Sequence, residues 1–472
     1  MSARLRMPAT LCLMLFSSPA ALADRHASCE GTEHCRPSSL MLAKSQPHGD
    51  QLSLLSLSSD RASSASRGQG SNKLAEDAHA ASDAVAAAMW RRATLRISKQ
   101  TKLSFLDAVT NDKIGASVSI SGNGKTALVG APGPDPSSDA PTIGTAYIFG
   151  RAGNWRLQDQ LYAPNGVLDD QFGTSTSISR GTALIGATGP LNTSTGAAYI
   201  FKLDGNNTWR STAKLTPSGG DIGGQFGYSV SMDKGRALIG AIGDISTSPG
   251  SAYIFDCLGN QGFQQDRLLA LDGVSGDQFG FSTAISGDLA IIGAPAPFKN
   301  KRGAAYVFKR VGKKWHLQAK LTSGDSGDLK DQFGFSTSMV GNTAVIGAPA
   351  PGVSGQHGAV YVFKQYGKAW FQTARLTAPN SSPMDLFGTS VSLSGRTMVI
   401  GAPGQSASYV FRRSRFGLRL QGQLASGKFG ISARISGNTV IVGAERDSSN
   451  GVSDSGAAYV YQLKGHCKMH SR

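Results

Sequence analysis

The sequence predicts an all-β protein, a seven-bladed β-propeller built from four-stranded antiparallel blades. A Phe-Gly pair, degenerate in its first copy, recurs at intervals of 53 to 58 residues, shortened once to 42, and a Gly-Ala pair follows each copy. A long, nearly fixed period of this kind is typical of repeat architectures. Each repeat contains four short strand patterns, and no segment of useful length shows helical periodicity. The copies are Phe172-Gly173, Phe226-Gly227, Phe279-Gly280, Phe333-Gly334, Phe387-Gly388 and Phe429-Gly430, preceded by a degenerate first copy, Ile114-Gly115.

The fourth repeat illustrates how one blade is predicted. Residues 279–285 alternate in size and are typical of a strand, and Gly287-Asp288 forms a tight turn after them. Residues 289–294 are continuously apolar, which indicates a second strand buried on both faces. Residues 304–308 form a third strand, and the more polar residues 315–321 form a fourth. Such a meander of four strands, repeated seven times, predicts a propeller.

The order of polarity fixes which strand lies where in a blade. Small Ser and Thr side chains suit the crowded inner ring, the apolar second strand suits packing between blades, and the polar fourth strand suits the rim. The last repeat ends at Tyr461 without a fourth strand, whereas residues 95–103 resemble one, since Lys102-Leu103 matches Lys320-Leu321. We therefore expect this N-terminal strand to complete blade 7 and close the ring, which removes exposed strand edges.

Outside the repeats, the chain changes character. Residues 1–23 are typical of a secretory signal peptide with an Ala21-Leu22-Ala23 cleavage site, the alternative being an uncleaved anchor. Residues 24–92 are rich in Ser, Ala and Gly and predict a low-complexity flexible segment. The propeller is assigned to residues 93–463 and a basic tail to 464–472. These features predict a protein that is secreted, extracellular or at the cell surface, with the periplasm as an alternative, and without a membrane span.

The formal net charge of +16 favours anionic partners. The alternative is a solubilising surface charge without a specific partner, because the basic residues are scattered and not grouped in blocks.

Four cysteines remain after the predicted signal peptide, namely Cys29, Cys35, Cys257 and Cys467. Four cysteines allow three pairings, of which Cys29 with Cys35 is the simplest in an oxidising compartment. A metal site built on cysteine is disfavoured, because no C-x-x-C occurs.

The repeat unit resembles a known family. Phe-Gly-x-Ser, an apolar strand ending in Gly-Ala-Pro and a Tyr-Val-Phe strand resemble the FG-GAP repeat, which builds the seven-bladed propeller of integrin α-chains and of many secreted bacterial proteins. Residues 315–333 are especially similar to the bacterial exported type. The resemblance implies extracellular recognition, adhesion or a scaffold, and it implies no particular reaction.

The chain departs from that family at the calcium loops. Many members carry a D-x-D-x-D-G-like turn between the first two strands of a blade, and calcium needs several clustered oxygens. In this chain each corresponding turn holds at most one carboxylate, as in Asp233-Lys234-Gly235. We therefore expect no metal and no cofactor. A single carboxylate does recur two residues before the Phe-Gly position, where it is either a weak cation site or, as we favour, an Asx-type cap: Asp112, Asp170, Asp277, Asp331 and Asp385.

Candidate ligand-binding residues come from the loops between strands 2 and 3. By resemblance, these loops share the usual recognition face with the links between blades. The densest basic cluster in them is Lys299, Lys301 and Arg302, and His357 and Arg446 are further candidates. The alternative is that these are solvated loop charges without a ligand.

The most favoured function is a recognition or adhesion module that binds a protein or an anionic glycan, and no specific nucleic acid is expected. A structural or envelope-assembly scaffold is the alternative, followed by a propeller hydrolase. An enzyme is disfavoured, because catalysis needs convergent acid, base or metal groups and the repeats contain no G-x-S-x-G or H-E-x-x-H. We expect the propeller to be monomeric.

Overall fold

The computed structural model describes ten stretches of the propeller region: 95–134, 142–190, 193–297, 302–324, 330–351, 357–379, 381–414, 417–425, 430–448 and 451–464. Outside them it describes only Leu42–Ala43 and Leu54–Leu55, which pair antiparallel. The chain divides into two compact units, Leu13–Ala84 and the rest. The predicted signal peptide, most of the low-complexity segment, residues 465–472 and the cysteines other than Cys257 therefore lie outside the described residues.

Seven four-stranded antiparallel sheets form the propeller, so the predicted fold class is confirmed. Within each blade the strands are numbered outward, from strand 1 at the centre of the ring to strand 4 at the rim. Blades 1 to 3 comprise Ser117–Ile120, Thr126–Ala131, Thr145–Ala152 and Asn154–Leu161; Ser175–Ser179, Thr182–Ala187, Ala197–Leu203 and Trp209–Leu215; and Phe226–Asp233, Arg236–Ala241, Ser251–Leu258 and Gln261–Leu268. Blades 4 and 5 comprise Ser282–Ser286, Leu289–Ala294, Ala304–Val311 and Lys314–Leu321; and Ser336–Val340, Thr343–Ala348, Ala359–Tyr366 and Ala369–Thr377.

Blade 6 differs from its neighbours by a short connection between strands 2 and 3, a single 3-10 turn at Pro403–Gln405. The strands of blades 6 and 7 are Ser390–Ser394, Thr397–Ala402, Ala407–Ser414 and Gly417–Ala425; and Ser432–Ser436, Thr439–Ala444, Ala457–Leu463 and Ile97–Lys102.

The N-terminal strand closes the ring, as predicted. Ile97–Lys102 pairs antiparallel with Ala457–Leu463, with Lys102 opposite Tyr459. The Ser98 hydroxyl also donates to the Gln462 carbonyl oxygen at 2.9 Å. Blade 7 is thus assembled from two distant parts of the chain.

The first strand of blade 4 begins later than the sequence predicts. It starts at Ser282, not at Phe279, whereas the second strand, Leu289–Ala294, is as expected. The reason is Gly280, whose φ of +101° takes the backbone out of the extended region. The Phe-Gly pair of this blade therefore forms a junction that precedes the strand.

In blades 2 to 6, the repeat phenylalanine anchors the core of its own blade. Phe172 is fully buried, and its ring lies edge-on to Tyr199 and Phe201 at 5.5 and 6.0 Å between ring centroids. Edge-to-face packing of this kind stabilises beyond the burial of area. The same arrangement recurs around Phe226, Phe279, Phe333 and Phe387.

Blade 1, which has Ile114 at this position, recruits a different aromatic residue. Phe105 is fully buried, with its ring 5.0 Å from that of Tyr147 and 5.3 Å from that of Phe149. The ring that the degenerate repeat lacks is thus supplied from the link between the closing strand and blade 1.

A glycine-serine contact joins every blade to the next. The Ser175 hydroxyl of blade 2 donates to the carbonyl oxygen of Gly227 in blade 3 at 2.7 Å. That oxygen also lies against Gly186, where a Cβ would fall far inside van der Waals contact with it. The contact repeats around the whole ring: Ser117 to Gly173, Ser229 to Gly280, Ser282 to Gly334, Ser336 to Gly388, Ser390 to Gly430 and Ser432 to Gly115.

Candidate recognition surface

One edge of the ring gathers the loops that connect strands 2 and 3 and the links between blades. The end of strand 4 reaches the same edge, because it pairs with the start of strand 3, as Lys320 does with Tyr306. The loop end of one blade also touches the entry of the next, through a parallel bridge between Gly250 and Phe279. We call this edge the loop face.

The sequence-predicted site residues are spread over three blades of the loop face. Arg302 and His357 are half-buried and come directly before the loop-closing Gly303 and Gly358 of blades 4 and 5. Arg446, in blade 7, is exposed. Lys299 and Lys301 lie outside the described residues, so their grouping with Arg302 stays a prediction.

Arg302 and His357 occupy equivalent places at blade junctions. Burial is the main influence on the carboxyl groups of Asp331 and Asp385 and raises the pKa of both. Arg302 beside Asp331, and His357 beside Asp385, partly oppose that rise through their positive charge. These two candidates therefore interact electrostatically with a buried carboxyl group, in addition to any contact with a ligand.

The recurrent aspartates act as caps of the junction loops. The Asp112, Asp170 and Asp277 carboxylates accept from the backbone amides three residues earlier, those of Val109, Val167 and Val274, at 2.7, 2.9 and 3.1 Å. Asp331 and Asp385 accept from the amides of Phe333 and Phe387 at 2.9 and 3.1 Å. This is the Asx-type role favoured from the sequence. In the part of the chain that the structure describes, no three His, Cys, Asp or Glu side chains cluster in a way that could hold a metal ion.

Five basic side chains form a circle on the loop face that the sequence analysis did not identify as a set. Each is exposed and is the last basic residue of strand 4, directly before a leucine. Each also lies over the ring of the tyrosine that it faces in strand 3, at 5.3 to 5.9 Å from the ring centroid. We call this set the basic collar: Lys102, Lys214, Arg267, Lys320 and Arg375.

Loop carboxylates neutralise only part of the basic collar. Asp447 lies 3.5 Å from Lys102, Asp221 lies 3.9 Å from Arg267, and Asp272 is bonded to Lys320.

The remaining two collar residues have no ion pair with any described carboxylate. Lys214 contacts the ring of Tyr199, and Arg375 donates from Nε to the hydroxyl of Tyr361 at 3.3 Å. The collar therefore presents unneutralised positive charge in blades 2 and 5, where an anionic ligand would gain most.

The collar is open at two blades. Gln160 in blade 1 and Gln423 in blade 6 occupy the corresponding register, opposite Tyr147 and Tyr409. The sequence signal for the collar is a Lys or Arg before the leucine that ends strand 4. It becomes visible only when all seven fourth strands are aligned, including the N-terminal one.

Comparison with known proteins agrees with the architecture. No curated protein matches the chain. No helix in the described residues is long and apolar enough to cross a membrane. The family model described as the FG-GAP repeat matches seven segments, each of which spans the fourth strand of one blade and the first three strands of the next: residues 97–149, 155–201, 209–255, 263–308, 315–363, 370–411 and 422–461. The chain belongs to the FG-GAP repeat family.

Proposed function

We propose that this protein is an exported recognition module that binds an anionic glycan or an acidic protein surface through its loop face. The basic collar carries the proposal, since it concentrates five basic side chains on the edge where the loops also gather. Positive charge arranged on one face attracts anionic partners and speeds their association. The formal net charge of +16 acts in the same direction.

The family supports the class of function, because FG-GAP propellers commonly serve as binding modules. A scaffold that organises other envelope proteins is the second candidate, supported by the ring of seven four-stranded blades, which the N-terminal strand closes. We propose a non-enzymatic role for either case.

Binding of the full-length protein to immobilised heparin, a sulfated polyanionic glycan, and to uncharged dextran would test the proposal. The variant Lys214→Gln/Arg375→Gln removes the two collar charges without a described carboxylate partner. We expect it to bind heparin about tenfold more weakly, since each exposed charge contributes up to about 1 kcal/mol.

The matched control is Lys313→Gln/Lys368→Gln, which removes two exposed charges at the turns between strands 3 and 4, on the opposite edge. It should bind heparin like the wild type. An equal loss of heparin affinity in both double variants would mean that only net charge matters, and would contradict the loop face as the site. If the protein binds protein partners but not heparin, the scaffold is favoured.

We also propose that ligand binding needs no metal. Heparin binding should be the same after dialysis against a chelator and after addition of calcium. A calcium-dependent increase in affinity or in the melting temperature would contradict this and place a cation site in the loops.

A further inference from the structure

The centre of the ring contains two cavities formed by the first strands. The cavity of about 190 Å³ is lined by residues from the start of strand 1 in all seven blades and lies at the loop face. The deeper cavity of about 140 Å³ is lined by the middle and end of these strands. Most lining side chains are small and uncharged, such as Ser117, Thr176 and Ser338.

Arg434 is the exception to this pattern. It lies two residues after the junction serine of strand 1 in blade 7, where the other blades carry Ser119, Ser177, Ser231, Ala284, Ser338 and Ser392. At this position, six of the seven blades therefore have a small side chain, and only blade 7 has a guanidinium group. Arg434 lines both cavities and is the only charged side chain among the described residues that do so.

The Arg434 guanidinium has little compensation from the protein. Its Nη1 donates to the carbonyl oxygens of Val391 and Ala433 at 3.4 and 3.2 Å. Within the described residues it forms no ion pair, and no acceptor is bonded to its Nε or Nη2. A half-buried charge without a counterion is costly, and a guanidinium offers donors in a fork that fits a carboxylate.

Aromatic side chains form a row on the wall of the loop-face cavity. Tyr228, Phe281 and Phe335 follow the repeat glycine in blades 3, 4 and 5. The three rings lie side by side, with centroids 5.0 Å apart between Tyr228 and Phe281 and 4.7 Å apart between Phe281 and Phe335. Blades 1, 2 and 6 place Ala116, Thr174 and Thr389 there, so the row is confined to one side.

In a ring of seven, blade 4 lies across the channel from blades 7 and 1. The aromatic row, centred on blade 4, and Arg434 of blade 7 therefore border one cavity from opposite sides. A cavity of about 150 Å³ holds a benzene molecule, so 190 Å³ has room for one six-membered ring with a charged substituent.

We propose that this cavity binds a small carboxylate that carries a six-membered ring, with the carboxylate on Arg434 and the ring against Tyr228, Phe281 and Phe335. The ligand replaces the missing counterion of the guanidinium, and the aromatic faces provide an apolar platform for the ring. This site is separate from the basic collar and does not depend on the proposed glycan or protein binding there.

Calorimetric titration of the full-length protein would test the proposal with two pairs of probes. D-glucuronate and benzoate carry the ring and the charge, whereas D-glucose and benzyl alcohol carry the ring alone. We expect at least one carboxylate to bind, with its neutral partner at least tenfold weaker, and the better of the two shows whether a sugar or an aromatic ring is preferred. No binding by either carboxylate at millimolar concentrations would overturn the site.

Variants separate the two halves of the site. Arg434→Gln should weaken the bound carboxylate at least tenfold, whereas Arg156→Gln, which removes an exposed charge on the rim, should not. Phe335→Leu should weaken it severalfold, whereas Phe371→Leu, at an exposed aromatic position, should not. Unchanged affinity in Arg434→Gln would overturn the proposal. Competition with acetate and chloride, which carry no ring, makes a second test. If these anions displace the probe equally well from the wild type and from Phe335→Leu, the proposal is also overturned.

Discussion

The Ser175 hydroxyl and the Gly227 carbonyl oxygen are 2.7 Å apart across the junction between blades 2 and 3. In most repeats, the amide of the Phe-Gly glycine also donates to the carbonyl oxygen of the Gly-Ala glycine in strand 2 of its own blade, as Gly173 does to Gly186 at 3.0 Å. The Phe-Gly and Gly-Ala pairs are therefore two sides of one contact. This explains why the two motifs recur together along the sequence.

Substitution Gly186→Ala should destabilise the propeller by about 2–4 kcal/mol, since the added Cβ would collide with the Gly227 carbonyl and force the blades apart. Urea denaturation followed by intrinsic fluorescence measures the change. Gly205→Ala is the matched control, because a Cβ there meets no atom within 4 Å. It should alter the free energy of unfolding by less than about 0.5 kcal/mol. A tolerant Gly186→Ala would show that the junction is not tightly packed.

Phe105→Ala should cost about 3–5 kcal/mol, because it removes a fully buried ring from blade 1. Thermal and urea unfolding measure the loss. Phe371→Ala, at a side chain that is 55% exposed, should change stability little. In an Ile114→Phe background the cost of Phe105→Ala should become smaller if the two positions supply the same ring; an unchanged cost would mean that Phe105 acts independently of the repeat position.

The stability of the protein should fall at alkaline pH in part through Tyr409. Burial, with a smaller contribution from the charge of Asp385, raises the pKa of this phenol from 10.0 to about 12. The folded state therefore holds the proton more tightly, so the stabilisation is complete below about pH 10 and is lost as pH rises through about 12.

Between pH 8 and 11, the wild type should lose about 1 kcal/mol more than Tyr409→Phe, a variant that keeps the ring and cannot ionise. Urea midpoints at several pH values measure this difference. Parallel pH profiles for the two proteins would show that Tyr409 ionises equally in the folded and unfolded chains.

Arg434→Met should keep or raise stability, with a melting temperature equal to the wild type or up to about 4 °C higher. The substitution removes a half-buried charge that has no described ion-pair partner and replaces it with an apolar side chain. Differential scanning calorimetry without added ligand makes the comparison. A large loss of melting temperature would mean that the guanidinium holds the channel together, and that a structural role explains its presence.

The blade pattern could be predicted because it depends on local sequence. Strands such as Leu289–Ala294 are recognisable from an unbroken apolar run, and the closing strand from its likeness to other fourth strands. The role of Phe105 could not be predicted, since it lies outside the repeat register and reaches the core only through the path of the link. The late start of the first strand in blade 4 could not be predicted either, because it depends on the left-handed conformation of Gly280.

The candidate sites were less accessible from the sequence. Loop residues such as Arg302 could be selected by charge and position, but their proximity to a carboxylate of the next blade depends on the ring geometry. The basic collar and Arg434 become visible only when equivalent positions of seven blades are compared in three dimensions. A single basic residue in one strand, such as Lys214, is otherwise indistinguishable from an ordinary surface charge.

Because blade 7 combines the two ends of the propeller sequence, it can be completed only after nearly all of the propeller has been synthesised. Ser98 and its bonding partner Gln462 are separated by 364 positions along the chain. At about 5–20 residues per second, the ribosome needs roughly 20–70 s after the closing strand Ile97–Lys102 to synthesise its partner strand, Ala457–Leu463. During that interval six complete blades can form, while the closing strand and the last blade each wait with an unsatisfied edge. Until the two strands meet, their unpaired edges are available to chaperones or other chains.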